Sequence, residues 1–234
     1  MPPARTRLDA LGIGLVLLLC ALWGVQQVAS KVALTQGMPP FFQAVLRSAI
    51  AGPLLVAFLF VRRGPAGLRM LGVADGTLWP GLLSGLLFGI EFLALFPGVR
   101  LTSASRAVVL LFSGAFFTAI CTHWFIPGER LRAVQWGGLL LAFTGVAATM
   151  IHGADEPGSL AGDALVLVAA ASWGGTTVLV KGTVLARVAS EKVLAYQLFG
   201  ALPLLLAAAW LMDELAVPTA SAVAWMSLGY QAVV

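Results

Sequence analysis

Long apolar stretches, separated by short polar turns, follow one another along the whole chain. A helix needs about 20 apolar residues to cross a bilayer, and seven stretches fit that length. They occupy residues 11–34, 41–61, 79–97, 104–126, 133–152, 163–182 and 193–212. An eighth starts near Ser221 and reaches Val234 after about 14 residues, which is short for a crossing. The pattern predicts an all-α polytopic membrane protein.

Composition supports this class. Hydrophobic residues make up 60% of the chain and charged residues 10%, whereas a soluble protein carries about 25% charged residues. The net charge of +4 is therefore interpreted as a topology signal, and no nucleic-acid partner is predicted. Cys20 and Cys121 both lie inside apolar stretches, so they predict neither a disulfide nor a metal site.

Positive charges alternate between successive loops. The N-terminus and the loops after the second, fourth and sixth stretches are basic: Arg5, Arg7, Arg62, Arg63, Arg69, Arg130, Arg132, Arg187 and Lys192. The intervening loops are uncharged or acidic, except around Arg100 and Arg106. Because basic loops stay on the cytoplasmic side, the N-terminus is predicted to lie in the cytoplasm and the protein in the inner (plasma) membrane.

The chain contains an internal repeat with an offset of 150 residues and no gap. Trp23-Gly24, Lys31 and Pro53 recur as Trp173-Gly174, Lys181 and Pro203. These residue types are scarce or costly in apolar segments, so their recurrence indicates a duplicated unit. Five predicted crossings separate equivalent points. Five is an odd number, so the two copies run in opposite directions, as in many secondary transporters.

The repeat sets the domain boundaries. Residues 1–152 form the first copy, with five spans, and residues 153–234 form an incomplete second copy. The position equivalent to Gly89 would fall near residue 239, beyond the last residue. We therefore expect two inverted five-helix repeats of a ten-helix fold, in a chain truncated at its C-terminus with the last helices missing.

Several local motifs strengthen this interpretation. They are Leu22-Trp23-Gly24, Lys31, Arg47, Leu101-Thr-Ser-Ala-Ser105, Pro127-Gly-Glu-Arg-Leu131, Gln135-Trp136-Gly137-Gly138, Gly145-Val146 and Ala171-Ser-Trp-Gly174. In order and spacing the chain resembles the drug/metabolite transporter superfamily, in its EamA-type branch. The resemblance implies ten helices in two inverted repeats that move small metabolites. Two features depart from the family pattern: Phe112-Ser113-Gly114-Ala115 stands where a proline is common, and Glu91 is not a family hallmark.

Two opposite charges lie inside predicted spans. At 1.5 Å per helical residue, Arg47 and Glu91 both lie about 9 Å below the outer surface, which suggests an ion pair. One interpretation is a structural pair that joins two helices. In the other, Glu91 exchanges a proton during transport, or Arg47 and Lys31 bind a substrate carboxylate.

Repeat-equivalent polar and aromatic residues complete the predicted pathway. Lys31 and Lys181 lie at the ends of their spans on opposite sides of the membrane. Each is either an interfacial anchor or a residue at one opening of the transport pathway that attracts anionic groups. Trp23 and Trp173 lie deeper and are followed by amides or hydroxyls, which suit either a cavity wall or helix packing. The predicted substrate pathway comprises Trp23, Gln27, Lys31, Arg47, Glu91, Trp173, Thr177 and Lys181.

Small residues and prolines predict how the helices pack and bend. Gly81, Gly85 and Gly89 form a stripe that allows another helix to approach closely. Pro53 and Pro203 each remove a backbone hydrogen bond inside a span, which predicts matched hinges.

The sequence favours a secondary-active transporter of small organic solutes, working by alternating access, most simply as an exporter. No phosphate-binding loop, metal-ligand cluster or pair of catalytic carboxylates occurs, so no cofactor, metal or catalytic residue is predicted. The bilayer and an amino-acid-like or anionic solute are the expected partners. Proton coupling, solute exchange and the oligomeric state stay open. The alternatives are a membrane-embedded enzyme acting on a lipid-linked substrate and a non-transporting assembly subunit.

Overall fold

The computed structural model describes residues 10–152 and 159–233. The described residues form ten α-helices and no strand. The helices are α1 (Ala10–Thr35), α2 (Pro40–Arg63), α3 (Pro65–Arg69), α4 (Leu78–Leu101), α5 (Ala104–Phe112), α6 (Gly114–Phe125), α7 (Ala133–His152), α8 (Leu160–Gly182), α9 (Ser190–Leu211) and α10 (Ala222–Val233). A 3-10 turn, Val184–Arg187, joins α8 to α9. The predicted topology charges Arg5 and Arg7, and residues 153–158, lie outside the described residues.

Six helical segments of the described chain are long and apolar enough to cross a membrane. They are Ala10–Thr35, Pro40–Arg63, Leu78–Leu101, Ser105–Phe125, Leu160–Gly182 and Ser190–Leu211. The last helix, α10, has 12 residues. The prediction of an all-α polytopic membrane protein is confirmed.

The fourth predicted span forms one apolar segment, Ser105–Phe125, whose helical hydrogen bonding is irregular at one residue. It is interrupted at Ser113, which separates α5 from α6. The Ser113 hydroxyl and the Ser113 backbone N–H both donate to the Leu110 carbonyl, the latter over 3.1 Å, so the helical ladder tightens there. The interruption falls in the Phe112–Ala115 segment, where the sequence analysis noted the departure from the family pattern.

Helix α4 lies at the centre of the bundle. Within its apolar stretch 56% of the residues are buried, whereas in α1 the share is 6%. Phe92, Phe96 and Val99 of α4 pack against Val166 of α8 and Leu205 of α9. Helix α1 instead presents most of its apolar side chains outward, as expected for a surface facing lipid.

Glycines allow the central helices to touch backbone to backbone. The predicted stripe of Gly81, Gly85 and Gly89 faces α9, and a Cβ added at Gly85 would lie 2.8 Å from the Cα atom of Gly200. A second contact joins α4 to α8, where a Cβ on Gly98 would lie 3.1 Å from the Gly162 carbonyl oxygen. Such close approach is typical of helices that pack inside a membrane.

Contacts between helix ends define two ends of the bundle. The Ser159 N–H, just before α8, donates to the Leu101 carbonyl at the end of α4 over 3.0 Å, and Lys31 of α1 reaches the same place. We call this the Asp163 end. At the opposite end, where α8 finishes, Lys181 contacts Glu129. We call this the Lys181 end.

Repeat-equivalent helices run in opposite directions between these ends. Helix α1 finishes at the Asp163 end, where its equivalent α8 begins. Helix α2 begins where α9 finishes, because the Phe41 N–H donates to Glu214 over 2.7 Å. The other ends of α2 and α9 meet through Arg63 and Glu191, 3.8 Å apart.

Candidate functional site

A cavity of about 450 Å³ lies between helices α1, α2, α4, α5, α8 and α9. This volume is within the range of sites for small organic ligands. Seven of the eight predicted pathway residues line it: Trp23, Gln27, Arg47, Glu91, Trp173, Thr177 and Lys181.

Lys31, the eighth predicted residue, does not line the cavity. Its ammonium group donates to the carbonyls of Val99 (2.8 Å), Arg100 (3.2 Å) and Thr102 (2.6 Å). These carbonyls are left without helical partners where α4 ends, and a cation there also interacts favourably with the helix dipole. Lys31 therefore ties α1 to the end of α4.

Aromatic side chains form one wall of the cavity. The rings of Trp23 and Trp173 meet edge to face with their centroids 5.3 Å apart. Phe112 lies 6.5 Å from each of them. The two tryptophans are separated by the offset of 150 residues, and they bring α1 and α8 together at the cavity.

The same offset relates the polar lining. Gln26 and Thr176, Gln27 and Thr177, and Arg47 and Gln197 are three pairs separated by 150 residues, and all six residues line the cavity. The Thr177 hydroxyl donates to the Trp173 carbonyl of its own helix over 3.1 Å, so its oxygen stays available as an acceptor. The sequence analysis did not identify Gln197, although its offset of 150 residues from Arg47 indicates it.

The structure does not form the predicted direct ion pair between Arg47 and Glu91. The Arg47 guanidinium lies over the ring of Phe92, 4.2 Å from its centroid, and its Nε atom donates to the Gln231 carbonyl over 3.1 Å. The aromatic face and the carbonyl of α10 thus take the position that the carboxylate was expected to occupy. Both charged groups still line the cavity.

Glu91 is buried, and one of its carboxylate oxygens has no hydrogen-bond partner. The residue is 7% exposed, and the oxygen without a partner is Oε2. A carboxylate oxygen shut away from water without a partner is costly, and inside a membrane such groups usually mark a pathway or binding site. Glu91 is therefore the strongest single indication of function in the cavity.

A buried amide pair supports the Arg47 side of the cavity. Gln231 of α10 donates from Nε2 to the Oε1 atom of Gln43 over 2.7 Å. Gln43 is fully buried one helical turn from Arg47, and its own Nε2 atom has no partner. Sequence reasoning missed this pair because neither amide is charged and the two residues lie far apart in the chain.

The cavity reaches the Lys181 end. Its lining includes Lys181, Val193 and Leu194, which lie at the last turn of α8 and the first turns of α9. The Lys181 ammonium pairs with Glu129 over 2.8 Å, and about half of each side chain is exposed. Surface pairs of this kind hold little energy, so this mouth is weakly restrained.

A second charged pair, beside this mouth, fixes the start of α9. Lys192 is buried and donates to Asp75 over 2.7 Å and to the Gly72 carbonyl. Hydrogen bonds from Lys192 and Thr77 lower the pKa of the Asp75 carboxyl to about 2. Asp75 lies in the loop between α3 and α4, so the pair joins α9 to the first copy.

A solved crystal structure shares the fold. It superposes with a TM-score of 0.65, and the match covers 92% of this chain and 71% of that chain at 23% identity. At that identity the likeness concerns the fold alone.

Curated relatives are named as transporters. The uncharacterized transporter YvbV of Bacillus subtilis is 32% identical over 215 residues, covering 90% of this chain and 65% of the relative. A protein of Escherichia coli named as a probable amino-acid metabolite efflux pump is 35% identical over 164 residues, covering 68% of this chain and 50% of the relative. An uncharacterized transporter of Archaeoglobus fulgidus is 30% identical, covering 70% of this chain and 55% of the relative. The chain thus spans between half and two thirds of the length of these relatives.

The EamA-like transporter family matches residues 10–151, which run from α1 into the last residues of α7. This match covers more than half of the chain and agrees with the motifs around Trp23 and Pro127. Together with the six membrane-spanning segments, it shows that the chain belongs to the EamA-like transporter family and is a multi-pass membrane protein.

Proposed function

We propose that the protein moves a small organic solute across the membrane by secondary transport, through the cavity between the two copies. The observation that carries this proposal is the convergence of repeat-equivalent residues, above all Trp23 with Trp173 and Arg47 with Gln197, on one cavity. In transporters built from repeats the solute site lies where the copies meet. The opposite directions of α1 and α8 support an inverted repeat.

The distribution of charge supports a topology with the Lys181 end in the cytoplasm. Seven cations of the described residues lie in loops or helix ends at that end: Arg62, Arg63, Arg69, Arg130, Arg132, Arg187 and Lys192. By the positive-inside rule this end faces the cytoplasm of an inner (plasma) membrane, which also places the N-terminus there. A cavity that reaches the cytoplasmic end can load solute from the cell, which favours export.

The two unpaired charges favour a zwitterionic solute. Arg47 can bind a carboxylate and Glu91 an ammonium group, and neither group has to leave the other to do so. The tryptophan pair and Phe112 provide an apolar and aromatic surface for the remainder of the solute. An amino-acid-like molecule fits this arrangement better than a plain anion, which would leave Glu91 uncompensated.

A matched set of solutes tests the proposal. We would reconstitute the complete protein in vesicles and compare the flux of leucine with that of isocaproate, which lacks the ammonium group, and isoamylamine, which lacks the carboxylate. Leucine is expected to be preferred. Removing a charge-assisted hydrogen bond costs about 1.5–3 kcal/mol, or roughly tenfold to a hundredfold in apparent affinity. Flux of all three compounds at the rate of protein-free vesicles would contradict transport.

Variants of the two charges sharpen the test. Arg47→Gln is expected to weaken leucine transport by that factor and to leave isoamylamine transport unchanged. Glu91→Gln is expected to weaken leucine transport by the same factor and to leave isocaproate transport unchanged. Arg62→Gln changes an exposed cation outside the cavity and serves as the control. Equal losses for all three solutes in both variants would contradict the assignment of separate carboxylate and ammonium sites.

The driving force is tested with the same Glu91→Gln variant. If Glu91 carries a proton, the variant loses isocaproate uptake driven by a pH gradient but retains isocaproate exchange between loaded vesicles. If transport is exchange alone, a pH gradient drives no uptake even in the unaltered protein.

A further inference from the structure

The Asp163 end of the cavity is closed by a buried polar cluster. Arg106 of α5 forms an ion pair with Asp163 of α8, and its Nε atom lies 3.4 Å from the Asp163 Oδ1 atom. Thr102, which is fully buried, donates to the same Oδ1 atom over 2.8 Å. The side chains of Arg106 and Asp163 are only 12% and 6% exposed. Lys31 binds the Thr102 carbonyl, so four helices or their ends meet at this cluster.

The cluster lies directly beyond the cavity. The lining residues nearest to it are Gln27, Leu95 and Val108. Gln27 is one helical turn before Lys31, and Val108 is two residues after Arg106. The pair of Arg106 and Asp163 joins α5 to α8 at this end of the cavity.

Helix α5 combines the cavity wall and the closing contact in one short element. Its nine residues span about 13 Å. Val108, Leu111 and Phe112 line the cavity, Arg106 lies in its first turn, and its other end is the interruption at Ser113.

The helix beyond the interruption is held more firmly. A Cβ added at Gly114 would lie 2.9 Å from the Ala170 carbonyl oxygen, and one at Gly174 would lie 3.0 Å from the Gly114 carbonyl oxygen. The start of α6 therefore packs against the backbone of α8. The two halves of the fourth span thus differ: α6 packs against the backbone of α8, whereas α5 contacts its neighbours through side chains, with Ala107 and Leu110 in the apolar core and Arg106 in the ion pair with Asp163.

We propose that α5 is a gate at the Asp163 end, with Ser113 as its hinge and the Arg106–Asp163–Thr102 cluster as its latch. Because Asp163 belongs to the second copy and the gate to the first, parting of the latch separates the copies at this end alone. The gate rests on the proposed function, since it regulates access to the transport cavity.

Accessibility of the cavity from the Asp163 end measures the latch without any solute. Val108→Cys is introduced into the complete protein, in a background where Cys20 and Cys121 are replaced by Ala. A membrane-impermeant maleimide is applied to vesicles of each orientation. In parallel, Val217→Cys, exposed in the loop after α9 at this end, identifies the face being labelled.

Breaking the latch is expected to raise the labelling of the Val108→Cys thiol from the Asp163 end. Asp163→Asn should raise the rate about tenfold or more, and Thr102→Val, which removes one hydrogen bond, about fivefold. A double variant, Arg106→Asp with Asp163→Arg, restores opposite charges and should return the rate toward that of the unaltered latch. Glu129→Gln, which breaks the exposed pair at the other end, is the matched control and should leave the rate unchanged.

The outcomes separate the gate from the transport proposal. If Asp163→Asn does not fold, Thr102→Val decides, because it leaves the ion pair intact. An unchanged labelling rate in the folded latch variants would overturn the gate, whether or not the vesicles transport leucine. A raised rate without flux of any tested solute would support the gate and count against the proposed function.

Discussion

The two ends of the bundle are closed by different chemistry. At the Asp163 end an ion pair and a threonine are buried together beside a partly exposed lysine, and the side chains of the pair are 12% and 6% exposed. At the Lys181 end the pair of Lys181 and Glu129 joins α8 to the loop after α6, and about half of each side chain is exposed. Removing one partner of a buried pair costs several kcal/mol, whereas an exposed pair contributes about 0–1 kcal/mol. The difference explains how one cavity can be shut firmly at one end and remain reachable at the other.

The largest effect is expected when the carboxylate of the charged pair is removed at each end in turn. Asp163→Asn removes the carboxylate that pairs with the Arg106 guanidinium, and we expect a loss of about 3–5 kcal/mol in the free energy of unfolding. Glu129→Gln removes an equivalent carboxylate from the exposed pair and should cost about 0–1 kcal/mol. Thermal unfolding in detergent measures both. Equal losses in the free energy of unfolding would show that the two charged pairs stabilise the protein to the same extent.

A smaller effect is expected from the helix contact beside the latch. Gly98→Ala places a Cβ 2.8 Å from Val166 and 3.1 Å from the Gly162 carbonyl, which should lower the free energy of unfolding by about 1–3 kcal/mol. Gly137→Ala on α7 meets nothing within 4 Å and should stabilise its helix by up to about 1 kcal/mol. The same unfolding assay applies. If Gly98→Ala is as stable as Gly137→Ala, α4 and α8 do not touch at the Asp163 end.

The rate of solute entry at the exposed Lys181 end should depend on salt concentration, whereas the buried contacts at the Asp163 end should not. If Lys181 attracts anionic groups to the mouth, Lys181→Gln lowers the initial rate of leucine or isocaproate entry by about twofold to fivefold at low ionic strength. The effect should fade above about 0.5 M salt because exposed charges are screened. Arg187→Gln, an exposed cation after α8, is the control. A salt-independent loss would indicate direct solute binding by Lys181 instead.

The smallest expected effect concerns Asp75 and Lys192. Hydrogen bonds from Lys192 and Thr77 lower the pKa of Asp75 to about 2, against about 3.9 in an unfolded chain. A lowered pKa contributes stability above pH 4, and this contribution is lost as the pH falls from about 4 to 2. Asp75→Asn should therefore flatten the dependence of the melting temperature on pH within that window only. A change in melting temperature that is confined to neutral pH would contradict a contribution from the lowered pKa of Asp75.

Much of the bundle could be predicted from the sequence because the bilayer dictates the length of apolar helices. The same reasoning, together with the offset of 150 residues, brought Trp23 and Trp173 to one site, and the structure places their rings in contact. The glycine stripe on α4 also faces another helix, since a side chain at Gly85 would collide with α9. These features depend on position along the chain, which a sequence records directly.

Other features depend on which way side chains turn, and the sequence does not record that. Equal depth suggested that Arg47 and Glu91 pair, yet the Arg47 side chain turns to the face of Phe92. Lys31 was expected beside the solute, but its long chain reaches the carbonyls at the end of α4. The interruption at Ser113 was hidden for a related reason: an apolar run looks continuous whether or not a hydroxyl competes for the backbone hydrogen bonds within it.

The central claim is that solute crosses between two copies that part at the Asp163 end. It is tested most directly by joining Arg106→Cys and Asp163→Cys with a short, reducible bifunctional thiol reagent, in the background lacking Cys20 and Cys121, and measuring leucine flux in vesicles. The account predicts that cross-linking lowers flux to the rate of protein-free vesicles and that a reductant restores it. Undiminished flux through fully cross-linked protein would contradict the account.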